Sequence, residues 1–262
     1  MTKDHFNNYK TQHTAKNIIF LEEIGSTNNY AKDLAKTTPS AGTAIIAARQ
    51  TAGRGRLGRS WDGEGDNIYM SIILKPEKDP AHLTLMAGVC VANVLNRFLT
   101  DTEYKVLIKW PNDIVVERKK ICGILTEGGS FGAVLGIGIN VGRESFPSEL
   151  ADKGTSLHMM TGTHHERAEI IKLLLSELSE YYERFIQDGI DSFIDEYKEL
   201  CLNIGRAVTI HEQDAVYEAT CLDVTENGEL LIEMVGGERR VLNSGEVSVK
   251  GIYGSDVYRK SI

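Results

Sequence analysis

A chain of 262 residues, 42% hydrophobic and 25% charged, has the profile of a globular protein with room for a sizeable core. Its net charge of −8 argues against a general nucleic-acid binder, which needs a basic surface to release counterions, so its basic clusters call for a local explanation. No apolar run is long enough for a bilayer and the N-terminal stretch lacks the apolar segment of a signal peptide, so the sequence reads as cytoplasmic, with no membrane partner.

Residues 1–16 read as a polar, loosely held arm. "NIIFLEEI" (17–24) predicts a strand, and "STNNYAKDLAK" (26–36) a helix opened by Ser26 or Thr27. "TAIIAARQ" (43–50) is a second strand that runs straight into "RQTAGRGRLGRSW" (49–61), and "NIYMSIIL" (67–74) is a third. The long apolar stretch 81–99 predicts a buried helix. Strands over 105–110 and 114–116 flank the turn Pro111-Asn112-Asp113, and two more (121–129, 132–141) pair across Gly128-Gly129. A long amphipathic helix is expected over 163–186, opened by a capping box of Thr163 and Glu166, and a second helix from 191 to near Gly205. Beyond Arg206 the texture changes to short strand-like runs with Asn-Gly and Gly-Gly turns. This divides the chain into a domain over 1–204 and a small β-barrel domain over 205–262. Cys90, Cys122, Cys201 and Cys221 form no C-x-x-C pair and read as small buried hydrophobes; no fixed metal site is expected.

Gly53, Gly55 and Gly58 spell the dinucleotide fingerprint G-x-G-x-x-G, but that motif needs a helix directly after it, and Trp61 leads into Asp62, Gly63 and another strand. Strand–loop–strand fits a kinase glycine loop, yet the chain has no H-R-D or D-F-G segment. A solvated turn is the plain alternative. Against it, Arg54, Arg56 and Arg59 repel one another unless an anion sits among them, and the glycines let the backbone approach that anion, so an anion clamp is favoured. In "KWPNDIVVERKK", Asp113 and Lys120 either face a common cleft or belong to a solvated hairpin with a cationic edge. Trp61 and Trp110, the two tryptophans, are either core or a platform for a purine ring beside the clamp. Ser26, Thr27 and Asn28 cap a helix or gather on a small polar ligand. Asn140, closing "GIGIN", is a ligand contact or a turn.

In order and together, "STN" (26–28), "RQTAGRGRLGRSW" (49–61), "KWPND" (109–113) with Lys120 beyond it, and "GIGIN" (136–140) resemble the biotin protein ligase family, from about Ile18 to the C-terminal β region. The resemblance implies an α+β fold: a mixed or antiparallel central sheet packed with helices, like that of class II synthetases, followed by an SH3-like barrel. It implies an ATP-dependent enzyme that converts biotin and MgATP to biotinyl-5'-AMP and then biotinylates a lysine of a biotin carboxyl carrier domain. Ser26, Thr27, Asn28 and Gln50 would hold the ureido ring, with Gly53 and Gly55 close to the ligand. Arg54 and Arg56 would grip carboxylate and phosphate, and Lys120 would bridge both. Trp61 would stack on adenine, Asn112 and Asn140 would touch the nucleotide or its metal, and Asp113 would position or deprotonate the incoming lysine. At Leu57 some relatives carry another arginine, so this clamp has one charge fewer. Some family members have an N-terminal DNA-binding domain; with residues 1–16 alone before the first strand, the ligase-only type is expected, with no nucleic-acid partner and with homodimerisation through the sheet as an option. The rivals are a lipoate or octanoate ligase of the same architecture, disfavoured by the Ser-Thr-Asn triplet and Gln50, and a non-catalytic biotin sensor.

Overall fold

The computed structural model describes residues 1–38, 40–212, 215–243, 246–250 and 252–253. The last part of the expected C-terminal domain, past 253, lies outside the described residues. Strand β1 (Asn17–Ile24) leads into helix α1 (Thr27–Thr37), and β2 (Thr43–Gln50) runs into a ribbon of two short strands, β3 (Gly53–Arg54) and β4 (Ser60–Trp61). Strand β5 (Ile68–Leu74), helix α2 (His82–Arg97), and strands β6 (Leu107–Lys109), β7 (Asp113–Val116), β8 (Lys119–Gly129) and β9 (Gly132–Ile139) follow. Helices α3 (Leu157–Thr161), α4 (Arg167–Asp188) and α5 (Ile194–Leu200) complete this part.

The seven-stranded sheet has the order β1-β2-β5-β9-β8-β7-β6 and is mixed: β1 and β2 are parallel, and every other neighbouring pair is antiparallel. β5 lies inside it, and its run "IYMSIIL" is buried throughout because both faces of the sheet are covered. Ala44, Ile46, Ile72 and Leu135 face the main core with α2 and α4; the alternate residues Ile45, Ile73 and Val134 face a smaller core under Ala31 of α1. The C-terminal part is a five-stranded antiparallel sheet, ordered β13-β12-β11-β10-β14, formed by β10 (Ala207–Glu212), β11 (Ala215–Val224), β12 (Leu230–Met234), β13 (Arg239–Leu242) and β14 (Glu246–Val249). All four cysteines are reduced and buried.

Three expectations need correction. The long helix starts at Arg167, not Thr163, and no side-chain cap forms. The left-handed Gly162 ends α3, and the Thr163 hydroxyl bonds within the loop to Thr161 and His165. The following helix stops at Leu200 rather than near Gly205, because Cys201 leaves helical geometry to bridge Ile108 of β6. Residues 1–16 are a fastened strap, not a loose arm. Phe6 is buried with its ring 6.1 Å from that of Phe20. The Tyr9 hydroxyl donates to the Lys172 carbonyl, Thr14 Oγ1 donates to the Leu175 carbonyl (2.6 Å), and the His13 amide donates to Ser179 Oγ (3.0 Å). Phe6→Ala should therefore lower the free energy of unfolding in urea by about 3 kcal/mol, the usual cost of deleting a buried ring. A loss below about 0.5 kcal/mol, typical of exposed sites, would restore the loose-arm reading.

Candidate active site

On the α1 side of the sheet the side chains disappear toward one end. Gly123 on β8 and Gly136 and Gly138 on β9 leave a hollow, walled by the start of α1 and roofed by the β3–β4 ribbon. Ser26 Oγ accepts from the Asn29 amide and caps α1, so Thr27 and Asn28 enter the hollow from a fixed helix start. The Thr27 amide and hydroxyl both donate to Gln50 Oε1, at 2.9 and 3.1 Å. That orients the Gln50 amide nitrogen toward Gly53, where a Cβ would come within 2.7 Å of it. Asn28 Nδ2 donates to the Leu125 carbonyl and to Glu127 Oε2, which turns Asn28 Oδ1 toward Ser71 Oγ at 2.6 Å.

The glycines are demanded by contact. A Cβ on Gly136 would overlap Asn28 Oδ1. One on Gly138 would lie 2.7 Å from the Trp61 indole, and one on Gly123 2.8 Å from it. Trp61 therefore lies against the glycine floor, with the Lys120 ammonium over its ring at 5.3 Å. Its Nε1 is buried and has no hydrogen-bond partner among the described residues. Trp110 is buried: its indole Nε1 donates to the Gly228 carbonyl (3.0 Å) and its amide to Asn203 Oδ1 (2.8 Å), which fastens the Pro-Asn-Asp turn to the C-terminal sheet.

Lys120 reaches the hollow through an irregularity. The β7–β8 register runs Ile114–Cys122 and then Val115–Lys120, so Ile121 is an extra residue on β8. Strict alternation from the floor residue Gly123 would point Lys120 into the core; the bulge turns it onto the site side. Segment 153–155 clasps its backbone, with the Lys120 amide donating to the Lys153 carbonyl and the Thr155 amide to the Lys120 carbonyl. Its ammonium lies 2.6 Å from Asp113 Oδ1. Burial alone would raise the Asp113 carboxyl, but the ammonium groups of Lys120 and Lys109 and hydrogen bonds from Lys120 and Tyr253 hold it below the ordinary carboxylate range.

Arg54 and Arg56 both tie the ribbon down. Arg54 donates to Asn29 Oδ1 (2.8 Å) and to Glu127 Oε1 (3.1 Å), and Lys32 shares the same carboxylate oxygen at 2.7 Å. Arg56 donates to Asn112 Oδ1 at 3.0 Å, while Asn112 is fixed by paired bonds to Ile124. Just past the second tie Leu57 adopts positive φ and is exposed. Ser26, Thr27, Asn28, Gln50, Arg54, Gly55, Arg56, Trp61, Asn112 and Lys120 all line one cleft, with Gly53 behind Gln50 and Trp61. Asn140 lies in an adjoining cleft, its amide nitrogen committed to the Thr155 carbonyl, and Asp113 lies in another. Trp61 and Lys120 line all three. Sequence reading missed Ser71, Glu127 and Tyr253. Ser71 had a signal, as the polar residue in an otherwise apolar run; Glu127 and Tyr253 had none.

Gly136→Ala is the sharpest test of the floor. Its methyl group displaces Asn28, and overpacking of this kind costs about 1–3 kcal/mol. Ligand affinity for the hollow should fall roughly ten- to hundredfold by calorimetry, with the melting temperature lowered by a few degrees. Unaltered affinity would show that Asn28 is not part of the binding wall.

Residues 20–143 match the Biotin/lipoate A/B protein ligase family and residues 204–250 the Biotin protein ligase C terminal domain. The chain is 33% identical over 247 residues to the bifunctional ligase/repressor BirA of Bacillus spizizenii, covering 90% of this chain and 75% of that protein. It is 32% identical over 238 residues to the biotin–[acetyl-CoA-carboxylase] ligase of Mycobacterium tuberculosis, covering 86% of each. Its structure is similar to that of the biotin protein ligase from Aquifex aeolicus in complex with biotin and ATP, with a TM-score of 0.79 and 32% identity, covering 90% of this chain and 99% of that one. The chain belongs to the biotin protein ligase family.

Proposed function

We propose that this biotin protein ligase joins biotin to ATP in the hollow beneath the β3–β4 ribbon and passes the biotinyl group to a lysine of a biotin carboxyl carrier domain. Residues 1–204 would act as the catalytic domain and 205–262 as the accessory domain. The observation that carries this reading is the convergence of Thr27 and Gln50, which orient each other, and of Asn28, oriented by Ser71 and Glu127, with the ammonium of Lys120 in a single cleft. A ureido ring offers two N–H donors and one carbonyl acceptor, and short hydroxyl and amide groups match both.

In the first step a biotin carboxylate oxygen attacks the α-phosphorus and the bond to pyrophosphate breaks. Two anions must meet, and Lys120 with Arg54 and Arg56 offsets their repulsion while stabilising charge that grows on the α-phosphoryl oxygens. Arg54 would exchange its Glu127 partner for the ligand. Trp61 presents its indole to adenine, and its orphan Nε1 suits a ligand acceptor. Asn112 holds Arg56 in reach, and Asn140 shapes the adjoining nucleotide wall. In the second step the lysine amine attacks the acyl carbon, AMP leaves and the amine loses a proton. Asp113, in the adjoining cleft, would position or deprotonate that amine.

Among the described residues no group of three or more His, Cys, Asp or Glu side chains could hold a metal ion. Magnesium would enter as part of the MgATP substrate. None of the described helices is long and apolar enough to cross a membrane.

Pyrophosphate exchange into ATP, run separately with biotin, lipoate and octanoate, tests the reading. Exchange is expected with biotin. Exchange with lipoate and not biotin would make the chain a lipoate ligase, and tight biotin binding without exchange or carrier labelling would make it a sensor.

A further inference from the structure

Both oxygens of Asp113 are engaged, by groups from opposite parts of the chain. Lys120 holds Oδ1 at 2.6 Å. The Tyr253 hydroxyl, arriving just beyond β14 of the C-terminal sheet, donates to Oδ2 at 2.7 Å. Tyr253 is itself placed from two sides. Its amide donates to the Arg118 carbonyl (3.0 Å), in the β7–β8 turn that separates Asp113 from Lys120, and the Lys109 ammonium sits 5.0 Å from its ring centroid. With Ile252 and Val249 it forms the wall of the cleft that faces Arg56, Asp113 and Lys120.

We propose that Tyr253 is a positioning residue of the catalytic centre, supplied by the C-terminal domain: it fixes the Asp113 carboxylate, and through it aims the Lys120 ammonium at the reacting phosphoryl group. An unassisted carboxylate in this buried setting is free to rotate about its last bond and to draw the lysine with it. A phenol on the second oxygen removes that freedom and supplies the hydrogen bond that water would otherwise make. The same contact gives the small β domain a direct part in the chemistry, since undocking that domain would release Asp113. The inference rests on the adenylating reading of the site given above.

The test is Tyr253→Phe, which keeps the ring over Lys109 and removes one oxygen. In biotin-dependent pyrophosphate exchange kcat should fall about tenfold, the size of one hydrogen bond to a charged group, while KM for biotin and for ATP stays within about twofold. In an Asp113→Asn background, followed as single-turnover adenylate formation, the same substitution should cost less than twofold, because its target is already altered. A full rate in Tyr253→Phe overturns the inference, as does an equal loss in both backgrounds or a loss carried wholly by KM. The unsubstituted chain separates the two levels. No exchange there sinks the adenylating reading and this inference together, whereas an active parent with an unaffected Tyr253→Phe variant sinks the inference alone.

Discussion

Lys120→Ala should reduce biotin-dependent pyrophosphate exchange by about a hundred- to a thousandfold, the usual effect of removing one preorganised group that stabilises transition-state charge. The ammonium is the one cation shared by all three clefts, and it stands over the Trp61 ring beside Asp113. Biotin binding should be hit less hard than the rate, because the triplet at 26–28 and Gln50 are oriented without Lys120. The substitution has a second effect. It strips a half-buried carboxylate of its nearest counter-charge, and breaking a buried pair costs about 3–5 kcal/mol; Lys109 and Tyr253 remain to offset part of it. Combining Lys120→Ala with Asp113→Asn should recover melting temperature without recovering exchange. Activity within a few-fold of the parent in Lys120→Ala would mean that the lysine only neutralises Asp113.

The second large effect concerns Arg56. It links the ribbon to Asn112 across the mouth of the cleft, and Asn112 is pinned by its two bonds to Ile124. A ribbon with a two-residue strand on each side has little holding it of its own. Arg56→Gly removes a clasp and a cation and adds backbone freedom. Free biotinyl-AMP should then leave the site about ten- to a hundredfold faster, given that a hydrogen bond to a charged group is worth about 1.5–3 kcal/mol. The release is measured directly in the filtrate after mixing with biotin and ATP. An adenylate that stays bound as long as in the parent would show that other contacts close the site.

Much of the fold was legible because its signals are local. Buried runs such as "IYMSIIL" and "GAVLGIGI" carry strand character wherever they sit, and Ser26 caps a helix by bonding an amide three residues on. The failures share a cause. Thr163 and Glu166 have capping-box spacing, but Gly162 and the Thr161 hydroxyl engage that stretch first. The strap over 1–16 looked loose because its partners, Lys172, Leu175 and Ser179, lie far along the chain.

The sequence by itself determined the chemistry available: three arginines among glycines, a lysine beyond a Pro-Asn-Asp turn, and a helix start rich in short polar groups, in an order specific to one family. Residue type and spacing along the chain suffice for that. Only the tertiary structure decided how those groups face one another. One extra residue, Ile121, turns Lys120 from the core to the site, because the side chains of a strand alternate and a single insertion reverses every direction before it. Ser71 beneath Asn28, Glu127 between Arg54 and Lys32, and Tyr253 on Asp113 are contacts 43, 73, 95 and 140 residues apart in the chain. Such pairs leave no pattern in a single sequence, since their geometry is set by the packing of sheets and domains rather than by neighbours along the backbone.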